Sequence, residues 1–245
     1  MEDIGLKSGD YEKAKDYSLS ITLTRHGAKK SIDGGLSEQG REEAGQYFTE
    51  AYEGIPLDQA IEREVISSSK ERAVETATQY QGALDKAYGT QAVVHTVDDR
   101  LSESDFVKFA SNLPEEEKGD VIKLWLESPR GKENLHNFVE WLLEKIVFQK
   151  EEGGKKEIDA FSHGPLMAIF IIEIEKRLGV NILTIKHGQD NYSIKNLAGY
   201  GSKLGFLKNI NITMSSERPN EFKLVYNGQS YQIPVKILKD IIKDT

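Results

Sequence analysis

The sequence of 245 residues contains no cysteine. That absence excludes disulfides, thiolate-ligated metals and every mechanism built on a cysteine nucleophile. Basic side chains are outnumbered as well: 32 Lys and Arg against 40 Asp and Glu leave a formal net charge of -8. Such a balance argues against nucleic acid as a partner, because a phosphate backbone needs clustered Lys and Arg. A few local positive charges can still hold a small anion. No run approaches the ~18 apolar residues of a membrane span, and the charged start MEDIGLKSGDYEKAKDYS has no apolar segment of the signal-peptide kind. The expectations are a cytoplasmic location and no membrane partner. HExxH, EF-hand and GxxxxGK[ST] patterns are missing too, so zinc-protease, calcium-loop and P-loop chemistry have no support. Any phosphate chemistry would have to run without a Walker loop.

What is present fits an ordinary globular chain, with 38% hydrophobic and 29% charged residues. The length suffices for a sizeable core, and one domain over 1–245 is expected. Residues 18–24 alternate and are rich in Ile, Leu and Thr, which predicts a strand ending at Arg25-His26-Gly27. Ser37 is placed to cap a helix through about Tyr52. Residues 64–68 read as a short strand, and Ser69 as the cap of a helix carrying Ala73, Thr76, Ala77, Tyr80 and Leu84 on one stripe. With a strand at 92–97, the order is β-α-β-α-β, the pattern of a parallel sheet with crossover helices.

From about 104 to 150 the pattern is helical only, with helices expected at 104–112, 114–127 and 132–149. Lys150 to Lys156 reads as a surface loop, 157–162 as a strand ending at His163-Gly164, and Pro165 to Leu178 as an apolar helix buried against the sheet. Strands are expected at 181–186 and 209–214, while 187–206 has no assignable pattern. Asn227-Gly228 signals a hairpin over about 221–233, with Leu224 opposite Tyr231 and Phe222 opposite Ile233. A short helix at 234–243, opening on Pro234, closes the chain.

Four stretches converge on one chemistry. They are Thr24-Arg25-His26-Gly27, the segment Ser67-Ser68-Ser69-Lys70-Glu71-Arg72-Ala73-Val74-Glu75-Thr76-Ala77, Arg100-Leu101-Ser102-Glu103, and Phe161-Ser162-His163-Gly164. In this order, from about residue 18 to 178, the chain resembles the histidine phosphatase superfamily with its phosphoglycerate-mutase-like fold. The resemblance implies a three-layer α/β/α architecture with a mostly parallel central sheet and a helical insertion at about 104–150.

Carried onto these residues, the resemblance implies that His26 is a nucleophile that becomes transiently phosphorylated. It further implies that Arg25, Arg72 and His163 hold the phosphoryl oxygens and that Glu103 gives a proton to the leaving oxygen. The chemistry asks for these residue types. A transferring phosphoryl group spreads negative charge over three oxygens, so fixed cations do most of the work, and arginine's planar fork suits the task. A neutral imidazole can attack phosphorus, and nearby arginines disfavour the imidazolium. A carboxyl beside departing phosphate is favoured in its acid form.

No metal or other cofactor is expected, and the expected partner is a small phosphorylated substrate. Asp98, Asp99 and Asp105 stand as rivals to Glu103, and His187 as a rival to His163. His95, His136, Trp125 and Trp141 read as structural. The loop Ala28-Lys29-Lys30-Ser31 lacks the Glu-Ser that typically follows RHG in the family's mutases. This favours a phosphomonoesterase over a mutase, and the intact set of His26, Arg25, Arg72, Glu103 and His163 counts against a non-catalytic phosphate-ester binder. Lys29 and Lys30 are candidate contacts for an additional anionic group.

Overall fold

The computed structural model describes residues 15–28, 34–56, 58, 60–89, 93, 95–180, 209–226 and 228–245, together with the backbone of 186–187 and 190–191. Its strands are β1 (Tyr17–Arg25), β2 (Ile61–Ser67), β3 (His95–Val97), β4 (Gly154–Ser162), the two-residue pieces β5 (Lys186–His187) and β6 (Asp190–Asn191), β7 (Asn209–Ser215), β8 (Glu221–Tyr226) and β9 (Gln229–Pro234). Its helices are α1 (Glu38–Tyr52), α2 (Glu71–Tyr88), α3 (Phe106–Asn112), α4 (Val121–Glu127), α5 (Pro129–Glu152), α6 (Gly164–Leu178) and α7 (Val235–Asp244). Short 3-10 turns cover Asp99–Leu101 and Glu115–Asp120.

A seven-stranded sheet runs in the order β3-β2-β4-β1-β7-β8-β9, mixed and flanked by helices. Its first four strands are parallel, as crossover helices require, and β7, β8 and β9 add antiparallel ladders beyond β1. β1 and β4 sit in the middle with their carboxyl halves buried, which brings the ends of the first and fourth strands side by side. One face is covered by α1 and α2, where Phe48, Ala73, Ala77, Tyr80 and Leu84 pack on Val65 and Phe161. The opposite face carries the larger core, in which α4 to α7 close over Ile21, Leu23, Ile158, Ile210 and Ile212. Trp125 and Trp141 belong to it, against Phe106 and Phe109 in one case and stacked on Phe138 in the other.

Several boundaries differ from the sequence expectation for identifiable reasons. β4 begins at Gly154 because Lys156 is ion-paired across the ladder to Glu62 at 2.8 Å and Glu64 at 3.2 Å, so charges that read as a loop extend both strands. The cap of α2 is Lys70 rather than Ser69, since the first amides of the helix donate to the Lys70 carbonyl. α5 starts a turn earlier than expected. Ser128 accepts from the Gly131 amide at 3.0 Å and Pro129 opens the helix, a start that an apolar stripe cannot reveal. The expected helix over 114–127 is a 3-10 turn followed by α4, and the one expected from 104 begins at Phe106, after Asp105 with φ 63. The expected 92–97 strand is only His95–Val97 among the described residues. The hairpin register is Leu224 to Tyr231 and Phe222 to Ile233. Asn227, residues 181–185 and most of 187–206 lie outside the described residues.

The chain that leaves β1 is clamped by α1. Ser37 caps α1, accepting from the Gly40 amide at 2.9 Å, and the Ser37 amide donates to the Ala28 carbonyl at 3.0 Å. Gly40 faces that same carbonyl so closely that a side-chain carbon there would run into it. Gly40→Ala is expected to lower stability by roughly 1–3 kcal/mol through this backbone clash. Urea denaturation of the two proteins checks it, and a loss below ~0.5 kcal/mol would show that the loop moves aside freely.

Candidate active site

Backbone hydrogen bonds continue the sheet past its strand ends and draw the four motifs together. The His26 amide donates to the Ser162 carbonyl at 3.1 Å, the Ser68 amide to the Phe161 carbonyl at 3.0 Å, and the Asp98 amide to the Ser67 carbonyl at 2.9 Å. The Ser162 hydroxyl then donates to the Leu101 carbonyl at 2.8 Å, which ties the segment leading to Glu103 to the end of β4. Arg25, His26, Arg72, Glu103 and His163 are all buried at this carboxyl edge of the sheet. In open α/β sheets that edge is where ligands bind.

The side chains form one connected set. His26 holds its Nδ1 2.7 Å from the Gly27 carbonyl oxygen, and Arg72 Nε donates to His26 Nε2 at 3.0 Å. A carbonyl oxygen can only accept and a guanidinium N–H can only donate. The proton therefore sits on Nδ1, and Nε2 carries the lone pair. Arg72 Nη2 donates to Glu103 Oε1 at 2.7 Å. The same carboxylate oxygen lies 3.7 Å from His163 Nδ1, and the rings of His26 and His163 are 5.2 Å apart between centroids. Arg25 lies against Gly164, where a side-chain carbon would meet its guanidinium at 3.2 Å. Burial lowers the Arg25 pKa, Glu103 works against that shift and Arg72 adds to it.

His163 is wholly buried, and its Nε2 is 2.6 Å from the Ser68 hydroxyl. Burial first, then His26, Arg72, Lys70 and Arg25, hold its pKa well below the ordinary 6.5. The ring is neutral. With a carboxylate facing Nδ1, the favourable tautomer places the proton there and lets the Ser68 hydroxyl donate into Nε2. Ser68 was not singled out from the sequence, nor was Thr76, which receives the Gly27 amide at 3.1 Å and donates to the Arg72 carbonyl at 2.6 Å. The signal was the Ser-Ser and Thr-Ala of the α2 motif, whose hydroxyls bond to His163 and to the backbone of Gly27 and Arg72 rather than merely ending a strand or filling a helix.

Of the rival acids, Asp98 is paired with its neighbour Arg100 at 2.9 Å, Asp105 faces Arg130 at 3.5 Å, and Asp99 is exposed. His95 is 2.8 Å from the Ser67 hydroxyl and His136 is 3.2 Å from that of Thr245, so neither joins this set. The His187 side chain, Lys29 and Lys30 lie outside the described residues. Among the described residues no group of three or more His, Asp or Glu is arranged to hold a metal ion, and no helix is long and apolar enough to cross a membrane.

Because the folded-state pKa of His163 lies below its unfolded value, the unfolded chain binds the proton more readily. The resulting stability is fully present above about pH 6.5 and is lost as pH falls from there through the folded pKa. The His163 ring resonance is therefore expected to show no titration midpoint at or above 6.5, and His163→Asn to lose less stability than the parent on acidification below that pH. Histidine NMR and urea denaturation at two pH values check this. An ordinary midpoint would mean that the ring is solvated.

The profile of the histidine phosphatase superfamily (branch 1) matches residues 21–212. No protein of curated function matches the sequence. Among solved structures, one titled mycobacterial hydrolase 2 superimposes with a TM-score of 0.51 at 18% identity, covering 92% of this chain and 97% of its own. A phosphoglycerate mutase from Bacillus anthracis str. Sterne gives 0.49 at 16% identity, covering 94% and 99%. A mutant phosphoserine phosphatase from Entamoeba histolytica, in complex with phosphoserine, gives 0.49 at 15%, covering 87% and 94%. With the profile running from the middle of β1 into β7 and enclosing all four motifs, the chain belongs to the histidine phosphatase superfamily, enzymes of the phosphatase and mutase type.

Proposed function

We propose that the whole chain is a single histidine-phosphatase domain acting as a phosphomonoesterase through a phosphohistidine intermediate, without a metal. The observation that carries this reading is the state of His26. With Nδ1 engaged by the Gly27 carbonyl, Nε2 is held as an unprotonated nucleophile among buried cations.

The steps follow from the chain's own groups. Arg25 and Arg72 draw in the phosphoryl oxygens, with the His163 Nδ1–H as a neutral donor beside them. The approaching dianion competes with Glu103 for Arg72 and disfavours a second negative charge there, so Glu103 takes up its acid form as substrate binds. His26 Nε2 then bonds to phosphorus, the ester P–O bond breaks, and the Glu103 proton passes to the departing oxygen, releasing an alcohol. In the second half, water attacks the phosphohistidine, Glu103 takes the water's proton, and inorganic phosphate leaves with His26 restored. The two arginines supply the charge stabilisation that a metal would otherwise provide.

Incubation with p-nitrophenyl phosphate and with 3-phosphoglycerate, with and without chelator, tests the reading. Chelator-insensitive release of phosphate is expected. Isomerisation of 3-phosphoglycerate without phosphate release would make the chain a mutase, and inertness a binder. His26→Ala is expected to lose turnover and the acid-labile protein-bound phosphate of a quenched reaction, with the fold retained, because no core cavity is opened. Near-normal activity in that variant would sink the mechanism. For Glu103→Gln, hydrolysis of an alkyl phosphate is expected to slow by about 10²–10⁴-fold and that of p-nitrophenyl phosphate much less, since a poor leaving group needs the proton more. Small and equal effects would remove Glu103 from the acid role.

A further inference from the structure

β9 (Gln229–Pro234) ends the seven-stranded sheet, and among the described residues no strand lies beyond it. An edge of this kind displays backbone N–H and C=O groups that can pair with another strand, so edges are usually guarded by charges, proline or a bulge. In a chain that is 29% charged, residues 229–233 read Gln-Ser-Tyr-Gln-Ile and carry no charge. Their pairing with β8 runs without a bulge from Gln229 to Pro234. Gln229, Ser230 and Gln232 are exposed, and α7, which follows, packs on α5 and α6.

The ladder fixes which groups face outward. The Val235 amide donates to the Asn220 carbonyl at 2.8 Å, continuing the pairing of β8 with β9 by one step. Hydrogen-bonded positions alternate along an antiparallel pair, so Ile233, Tyr231 and Gln229 turn their backbone groups towards β8. Ser230, Gln232 and Pro234 turn theirs away. Two features then limit what the edge can pair with. Pro234 has no N–H to give, and Gly228 holds φ 75, outside the extended range of a strand. The outward positions with both a donor and an acceptor are therefore Ser230 and Gln232.

This short frame is complementary to itself. When a second copy runs antiparallel with Tyr231 opposite its own counterpart, Ser230 of each chain meets Gln232 of the other. Each such pair exchanges both of its backbone hydrogen bonds, and every donor is matched. A slip of two residues, the smallest that keeps the outward groups facing each other, brings Gly228 or Pro234 into the ladder and loses bonds. Tyr231, half-buried against the larger core, meets its counterpart at the close, non-bonded position, where aromatic pairs add to the stability of a sheet.

We propose that β9 is a self-recognition edge, through which two copies of this chain join their sheets antiparallel about a two-fold axis at Tyr231. The axis is perpendicular to the joined sheet, so the two carboxyl edges point in opposite directions and neither candidate site faces the other. A contact of two short strands is small, which makes the dimer weak and dependent on concentration. The proposal stands independently of the hydrolytic reading.

Sedimentation velocity on the full chain, from about 1 µM to about 500 µM, tests it over the range in which so small an interface fills. The weight-average mass is expected to rise from that of one chain towards that of two. A Ser230→Lys, Gln232→Lys double variant sets lysine against lysine in both pairs and is expected to associate at least tenfold more weakly. Ser230→Lys with Gln232→Glu sets unlike charges in the same pairs and is expected to dimerise at least as well as the parent. Gln232→Pro, which deletes an outward N–H and no bond to β8, is expected to weaken association likewise. Both side chains are exposed, so the fold is retained in each variant, as urea denaturation would show. A chain that stays monomeric throughout, leaving the edge to a strand of another protein, overturns the proposal. So does a dimer that the two-lysine variant retains, or one that the lysine and glutamate variant loses.

Discussion

The site depends on one buried guanidinium. Arg72 gives Nε to the lone pair of His26 and Nη2 to Glu103, and thereby fixes the distance between the proposed nucleophile and the proposed acid. Gathering Arg25, Arg72 and two histidines out of water is costly, and Glu103 brings a buried carboxylate among them, bonded to Arg72. The pair is therefore an uneasy one by design. In the proposed reaction an incoming phosphoryl group with three oxygens would compete with Glu103 for Arg72. The neutrality of His163 follows from the same crowding of positive charge.

The scaffold repeats this dependence on α2. One turn beyond Arg72, the Thr76 hydroxyl receives the Gly27 amide, and the Glu75 carboxylate accepts from the Leu36 amide and from Arg41. A single helical surface thus holds Gly27, directly after His26, and Leu36 at the entry into α1. Tyr80, farther along the same helix, donates to Asp159 of β4 and meets Tyr52 of α1 at 2.6 Å. Burial is the main cause that pushes the Asp159 pKa up to about 6. This polar seam inside the α1 and α2 layer sets how the two helices lie on the sheet.

Much of the site was legible because each motif sits at the end of a parallel strand, where a period-two pattern stops and polar residues begin. Arg25-His26 at the end of β1, Ser67-Ser68 at the end of β2 and His163 directly after β4 are all of that form. Glu103 could be found only through the resemblance. Its neighbours Asp98, Asp99 and Asp105 look the same in sequence, and pairing with Arg100 and Arg130 distinguishes two of them only in three dimensions. The amino ends of β2 and β4 were hidden for a different reason. Lys156, Glu62 and Glu64 are loop-like one by one and strand-forming as a cross-strand set, and that information is not local. The antiparallel half of the sheet was visible as a hairpin, but nothing in 209–215 says that it lies against β1.

That last placement governs how the protein can come together in time. β1 is the first described strand, yet its partners are β4, beginning at Gly154, and β7, beginning at Asn209. The strand carrying Arg25 and His26 therefore waits, with both edges unpaired, until most of the described chain has left the ribosome. Contacts of such sequence separation form slowly, and an apolar strand waiting for them is exposed to other chains. The most local contacts in the described chain before then are those of α1 with α2, although their shared core is completed only by Phe161 of β4. Assembly of this edge coincides with closure of the sheet, so a chain stalled before β4 carries His26, Arg72 and Glu103 but lacks the strand that aligns their segments and the His163 that follows it.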